Sequence, residues 1–260
     1  MSRLEQEQPT ATQAATGQVA EGPRRSPLFD VCVHEVNLNG AVDAVNGLIA
    51  RGMPSHVVTL DASMCVAARR DLELRRIVLH AELVTPDSVG VLWAAKRKGI
   101  ALTDRASGVE ISERLCAASA ARGTRIFFLG SAPGVAEDAA IRMRDRYPGC
   151  NIVGTMHGYY DAVEERNVLH AIRQAAPDVL LVAFGIPKQE KWIALHREAL
   201  GVPVMIGVGG SLDVMSGRVE RAPQWARRFN MEWLYRLAQN PKKIGKALAL
   251  PRFVWMALTR

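Results

Sequence analysis

Four short apolar runs between Arg125 and Val208, separated by stretches of helical spacing, constrain the fold of this chain more than any other feature. Arg125-Ile-Phe-Phe-Leu-Gly130 reads as a strand, Ser131-Ala-Pro-Gly134 as a tight turn, and Val135 to Tyr147 as a helix. Asn151-Ile-Val-Gly154 is a second strand, and Val163 to Ala175 a helix that ends before Pro177. Val179 to Phe184 is a third strand, Lys188 to Leu200 a helix, and Val202 to Val208 a fourth strand. Upstream, His56 to Thr59 reads as a strand leading into a helix over Ala62 to Arg70, and Leu83 to Thr85 as a short strand ending at Pro86-Asp87. Strands that alternate with helices of about 10–15 residues build βαβ units, so the expected class is α/β with a parallel sheet. Right-handed crossovers then set every carboxyl end on one rim. Ligands of open α/β sheets bind beyond that rim.

Five loops converge there. They offer Thr59 and Asp61, Asp87 and Ser88, Gly130 to Gly134, Pro187 to Glu190, and Gly207-Val-Gly-Gly-Ser-Leu-Asp213. Glycines at 130, 134, 209 and 210 permit close backbone approach, and helix N-termini behind them suit phosphate groups. Neither Gly-x-Gly-x-x-Gly nor a Walker loop is present. Glycine turns end most parallel strands, so the set rather than any single loop favours a nucleotide-type ligand. Phe184-Gly-Ile-Pro-Lys-Gln-Glu-Lys-Trp192 brings Lys188, Gln189 and Glu190 to the rim. For Glu190 the favoured reading is compensation of the helix dipole from the first turn.

A chain of 260 residues suffices for one substantial core. Residues 1 to 27, rich in Thr, Ala, Gln, Glu and Gly, read as a disordered tail. Residues 28–217 form the α/β domain and 218–260 a basic helical appendage. The net charge of +7 is concentrated in that appendage, where ten Lys or Arg face two acids; its own +8 leaves the remainder near −1. Three of the five tryptophans, Trp225, Trp233 and Trp255, share it. Cations interleaved with aromatic and aliphatic side chains suit an anionic membrane surface. Nucleic acid is the competing partner, but no nucleic-acid module is recognisable, so none is expected; a solvated basic helix pair is the plainer alternative. No run of 18 apolar residues suggests a transmembrane helix, and no apolar signal core opens the chain, so a cytoplasmic location is expected. Cys32, Cys65, Cys116 and Cys150 stand far apart and read as buried free thiols. No His-Glu-x-x-His pattern and no Asp-x-Asp pair invites a metal.

A series of motifs in fixed order carries a resemblance. Phe-Gly-x-Pro-Lys-Gln-Glu-x-Trp at 184–192, Gly-Val-Gly-Gly-x-x-Asp at 207–213, Arg-Ala-Pro-x-Trp at 221–225 and Glu-Trp-Leu-Tyr-Arg at 232–236 resemble the WecG/TagA/CpsF family of bacterial glycosyltransferases, also called glycosyltransferase family 26. Phe128-Leu-Gly-Ser-Ala-Pro-Gly134 and Gly154 to Tyr160 match as well, and the resemblance spans roughly residues 30 to 255. It implies a Rossmann-like parallel sheet flanked by helices, with a C-terminal helical appendage. It implies an inverting transfer of an N-acetylmannosamine-type sugar or related hexose from a UDP-sugar to a polyprenyl-diphosphate-linked sugar. The setting implied is the inner face of the plasma membrane, in synthesis of teichoic acid, common antigen, capsule or exopolysaccharide. No metal or other cofactor is implied, the UDP-sugar being a substrate.

Residue by residue, the family's catalytic aspartate, in a Pro-Asp-Gly turn, falls on Asp87. Its Thr-x-Asn pair falls on Thr59 and Asp61, its arginine ahead of Gly-x-Asp on Arg105, and its glutamine on Gln189. Gly130 and Gly209 complete the expected donor-binding set. In the appendage the family's arginines fall on Arg236, Lys243 and Lys246, expected to face the diphosphate and the membrane. A single carboxylate such as Asp87 can take the acceptor hydroxyl's proton during inversion, and cations can stabilise the departing diphosphate. Five residues depart from the family pattern. Asp61 stands for an amide and Glu110 for an Asp. Ser88 stands for a glycine, which would make a positive φ beside Asp87 harder to reach. Lys243 and Lys246 stand for arginines, without the bidentate fork. The alternative function is a non-catalytic nucleotide-sugar-binding protein at the membrane. An apolar face on the appendage would allow a homo-oligomer.

Overall fold

The computed structural model describes residues 22–220 and the helix 244–259, the latter with side chains from residue 249 onward. An antiparallel hairpin of β1 (Arg25–Leu28) and β2 (Val31–His34) opens the fold. It turns at Phe29, whose φ is 57°. Arg25 to Pro27, assigned by composition to the disordered tail, are therefore strand, and ordered structure starts earlier than the composition suggests. Next come α1 (Leu38–Arg51), β3 (Ser55–Leu60), α2 (Ala62–Ala68), α3 (Leu72–His80), β4 (Leu83–Pro86), α4 (Val89–Arg97) and α5 (Gly108–Arg122). The strand–helix alternation follows: β5 (Ile126–Gly130), α6 (Val135–Arg146), β6 (Ile152–Met156), α7 (Glu164–Ala175), β7 (Val179–Ala183), α8 (Lys188–Leu200), β8 (Val204–Gly207) and the short α9 (Ser211–Met215). The terminal helix, labelled α10, spans Ile244–Thr259.

Strands β3 to β8 form one parallel sheet in the order β4-β3-β8-β7-β5-β6. The strands β3, β4, β5, β7 and β8 are buried along their whole length, which is why they read as continuous apolar runs. Alternate residues serve the two faces. Val57, Phe128, Leu181 and Ile206 join the cluster under α1, α5, α6 and α9. Phe127, Leu180, Val182 and Met205 pack under α7 and α8, and Val58, Leu60 and Val84 under α2, α3, α4 and the hairpin. The connections of neighbouring β3 and β8 thus leave on opposite faces, through α2 and α9. Those of β7 and β5 do the same through α8 and α6. In open α/β sheets such divergences are where ligands are accommodated at the carboxyl rim.

The hairpin closes the outer edge at β4, where the His34 imidazole Nδ1 accepts from the Val84 N–H at 2.9 Å. This satisfies an edge-strand donor that would otherwise lie buried without a partner. At the other end of the chain, α10 packs on α2 and α4 and buries Phe253, Met256 and Ala257 in the core they share. Val219 also bonds back to Asp213 through its N–H, so residues 218 and 219 continue the α/β body rather than opening an appendage. All four cysteines are buried free thiols, as the spacing led one to expect. Among the described residues, no helix is long and apolar enough to cross a membrane.

Candidate active site

Asp87 directly follows β4, on the carboxyl rim. Its N–H donates to the Leu60 carbonyl at 2.9 Å, locking the end of β4 to the end of β3. Its carboxylate Oδ1 accepts from the Gly108 N–H at 3.1 Å, at the first residue of α5. An anion is favourably placed at that positive end of a 15-residue helix. The segment preceding α5 is clamped to the same spot. Thr85 Oγ1 donates to the Ala106 carbonyl at 3.0 Å, and the Ala106 N–H donates to the Pro86 carbonyl at 2.8 Å. The backbone of Arg105 is thereby anchored next to the Pro86-Asp87 turn, with its side chain half-buried. Ser107 Oγ donates to Glu110 Oε2 at 2.6 Å, so the Glu at that position steadies the first turn of α5.

Thr59 lies on the other side of Gly108. A Cβ at Gly108 would meet Thr59 Cγ2, Ser211 Oγ and Val208 Cα, each at 3.4 Å. The Thr59 hydroxyl donates to the Gly207 carbonyl at 2.7 Å and is buried, so it ties the carboxyl end of β3 to that of its neighbour β8. Two residues on, Asp61 is the N-cap of α2: its Oδ1 accepts from the Met64 N–H at 2.8 Å and from Ser63 Oγ at 2.6 Å. An aspartate and an asparagine serve equally well in that position. Ser88 caps α4 by accepting from the Val91 N–H at 3.4 Å, with φ of −123°. The turn beside Asp87 uses no positive φ, so the expected penalty for lacking a glycine does not arise.

Gln189 and Glu190 knit the neighbouring loops. The Gln189 side chain is 1 % exposed; its Oε1 accepts from the N–H groups of Gly185 at 3.0 Å and Gly209 at 2.9 Å, and its Nε2 donates to Glu190 Oε1 at 2.9 Å. The amide thus ties the β7–α8 loop to the β8–α9 loop. A Cβ at Gly207 would lie 2.6 Å from Gln189 Nε2 and 2.7 Å from Glu190 Oε1, so that strand must stay bare there. Glu190 stands in the first turn of α8, where an acid complements the helix dipole as expected. It does so fully buried, with its Oε1 accepting from the preceding amide.

The glycines divide by cause. Gly209, at φ 55°, presents its N–H to Gln189. Gly130, at φ 125°, abuts the backbone of Ala183, which a Cβ would approach to 2.6 Å; β7 itself demands this glycine. The Gly130–Gly134 loop also carries a cation that its sequence does not announce. Arg218 Nε donates to Asp138 Oδ2 at 2.8 Å and its Nη1 to the Pro133 carbonyl at 3.3 Å, with its guanidinium against Gly134. Lys188 likewise sets its ammonium over the Phe184 ring at 4.9 Å. Phe184 packs edge-on against both Tyr160 and Trp192, and the Tyr160 hydroxyl is buried. Burial beside Glu165 pushes the Tyr160 phenol up from its ordinary value.

Asp87 is thus held at Gly108, which lies against Thr59 and Ser211; Thr59 bonds Gly207, against which the Gln189 amide packs while it also holds Gly209. Asp61 and Arg105 flank these residues in sequence, and Gly130 ends β5 farther along the rim. Arg236 and Lys243 lie outside the described residues, and Lys246 is described by its backbone alone.

Residues 26–260 match the Glycosyl transferase WecG/TagA/CpsF family. Among curated relatives, the N-acetylglucosaminyldiphosphoundecaprenol N-acetyl-beta-D-mannosaminyltransferase of Bacillus spizizenii is 33% identical over 202 residues, covering 78% of each chain. The enzymes of the same name from Bacillus subtilis and Staphylococcus aureus strain MW2 are each 32% identical, over 203 and 199 residues, covering 78% and 76% of this chain and 78% of their own lengths. With its parallel α/β sheet and with Asp87 on the carboxyl rim, this chain belongs to the WecG/TagA/CpsF glycosyltransferase family.

Proposed function

We propose that this glycosyltransferase moves an N-acetylmannosamine-type sugar, or a related hexose, from a UDP-sugar to a polyprenyl-diphosphate-linked sugar during cell-surface polysaccharide synthesis. The relatives' names supply the sugar and the lipid-diphosphate acceptor. The observation that carries the reading is the position of Asp87, whose carboxylate sits at the rim against the N-terminus of α5 and one glycine away from Thr59. In the proposed step Asp87 takes the proton of the acceptor hydroxyl while that oxygen bonds to the anomeric carbon. The bond from that carbon to UDP breaks from the opposite face, and UDP leaves with the electron pair, so configuration inverts. Helix N-termini at the rim favour its diphosphate, and Arg236, Lys243 and Lys246 are the proposed cations for the same charge. Thr59, Asp61, Arg105, Gln189 and Gly209 shape the donor pocket. No resident cofactor belongs to this reading, and the protein works at the inner surface of the plasma membrane, since its acceptor is a lipid.

The test is UDP release by the purified chain with a panel of UDP-sugars and an acceptor carrying a lipid diphosphate. Turnover that falls about 10²–10⁴-fold in Asp87→Asn supports the general base, and a chelator should leave the rate unchanged. Binding of a UDP-sugar without any turnover would instead favour a nucleotide-sugar-binding protein without catalysis.

A further inference from the structure

Beside the seam where α10 packs on α2 lies a cavity of about 330 Å³, lined by Val66, Arg69, Arg70, Arg252, Trp255 and Met256. It is distinct from the carboxyl rim: Asp61 caps the N-terminal end of α2, whereas Arg69 and Arg70 follow its C-terminal end. Three of its six lining residues are arginines, two just past the C-terminal end of α2 and one on α10. A helix C-terminus attracts basic residues, which accounts for Arg69 and Arg70 but not for Arg252, which comes from α10. Arg69 shares its charge with Asp30 at 3.5 Å. Among the described residues Arg70 and Arg252 have no acidic partner, and α10 contains no Asp or Glu. Val66 and Met256 give the cavity an apolar side. On the outer face of the same helix Trp255 is 62 % exposed, with Val254 and Leu258 beside it.

We propose that this cavity holds the phosphodiester headgroup of an anionic glycerophospholipid. Guanidinium forks match phosphate oxygens in pairs. The apolar side suits the glycerol and first acyl carbons, and an exposed Trp flanked by aliphatic side chains sits at the depth of the headgroups. The proposal rests on the reading that transfer takes place at a membrane surface. It adds a discrete headgroup site on the flank of the body, built partly from α2 and so not reducible to a basic tail.

The experiment is co-sedimentation of the full chain with phosphatidylcholine vesicles, with and without phosphatidylglycerol. Arg70→Gln/Arg252→Gln is compared with Arg166→Gln/Arg173→Gln, which removes the same charge from the exposed face of α7. Partition onto phosphatidylglycerol vesicles should fall roughly 10- to 30-fold in the first variant, at about one cation's worth of attraction per arginine, and hardly at all in the second. UDP release with a water-soluble acceptor analogue should be the same in all three proteins. That readout is independent of vesicles, so a failure of the transferase reading shows itself separately. Equal losses in both variants, or none in the first, would overturn the proposal. So would inorganic phosphate competing as well as the lipid, which would make the cavity a site for free anions.

Discussion

Phe253 of α10 lies against Gly90, three residues beyond Asp87: a Cβ at Gly90 would come within 3.3 Å of the Phe253 ring and 3.4 Å of Ala62 Cβ. The ring, 1 % exposed, also meets Phe29 edge-on at 5.7 Å between centroids. It fills the space between the first turns of α2 and α4, the two helices capped by Asp61 and Ser88. The last helix therefore supports the wall of the site directly.

Truncating that ring should be costly in two ways. Phe253→Ala removes a fully buried aromatic side chain, for which about 3–5 kcal/mol of stability is the usual loss. A denaturant titration should show it as a lowered midpoint. UDP release should drop as well, because the turn carrying Asp87 loses its backing. Phe253→Leu should recover most of the stability, and full activity in Phe253→Ala would disconnect the helix from the site.

The Gln189 bridge gives a second expectation. Gln189→Ala strips one acceptor from two N–H groups, those of Gly185 and Gly209, in a buried setting. Each donor left unsatisfied costs about 1–3 kcal/mol. Amide hydrogen exchange should accelerate at Gly185 and Gly209 more than elsewhere. Gln189→Glu should be worse at neutral pH, since it sets a second carboxylate beside the buried Glu190. Unchanged exchange at Gly209 would argue that the loops hold each other without the amide.

The third expectation concerns pH. His56 is buried at the amino edge of the sheet; its backbone N–H donates to Glu82 at 2.7 Å, and Arg197 bonds the same carboxylate at 3.2 Å. Burial first, and the Arg197 charge second, bring its pKa down to about 3. Between pH 6.5 and 3 the unfolded chain binds this proton and the folded chain does not. Stability is thus complete above pH 6.5 and declines as pH falls, with a slope of up to about 1.4 kcal/mol per unit from this residue. His34 adds in the same direction, its pKa lowered by burial and by Arg25. Thermal melts of His56→Leu between pH 7 and 4 should be flatter than those of the parent chain, and an equal slope would exclude His56 as the cause.

How far the sequence could be read depended on burial. From Arg125 to Val208 every strand except the edge strand β6 is buried along its length, so its apolar run stands out and its neighbours' helical spacing is plain. Early in the chain the signals are weaker. The inner face of α5 carries Gly108, Ser112, Cys116 and Ser119, all buried, and these small residues leave no strong apolar stripe. The hairpin begins next to a tail of similar composition and includes Pro27, a poor strand former. At the rim, motif order singled out Asp87 just past β4, Thr59 near the end of β3 and Gln189 in the first turn of α8, positions that can be placed from the strand–helix pattern alone. It missed the burial of Glu190 and the clamp of Arg218 on the Gly134 loop, since both depend on contacts between segments far apart in the chain.

Asp61 offers the sharpest separation of a structural from a chemical role. Its Oδ1 accepts from Met64 and Ser63 at the start of α2, a task that Asn performs as well as Asp, whereas Ala forfeits about 1 kcal/mol. Asp61→Asn should therefore melt within about 0.5 kcal/mol of the parent and Asp61→Ala should not. The same pair decides whether the charge matters for transfer. If Asp61 acts as a cap that shapes the donor pocket, UDP release survives in Asp61→Asn. A loss approaching that of Asp87→Asn in a normally folded Asp61→Asn protein would instead make this carboxylate a participant in the chemistry.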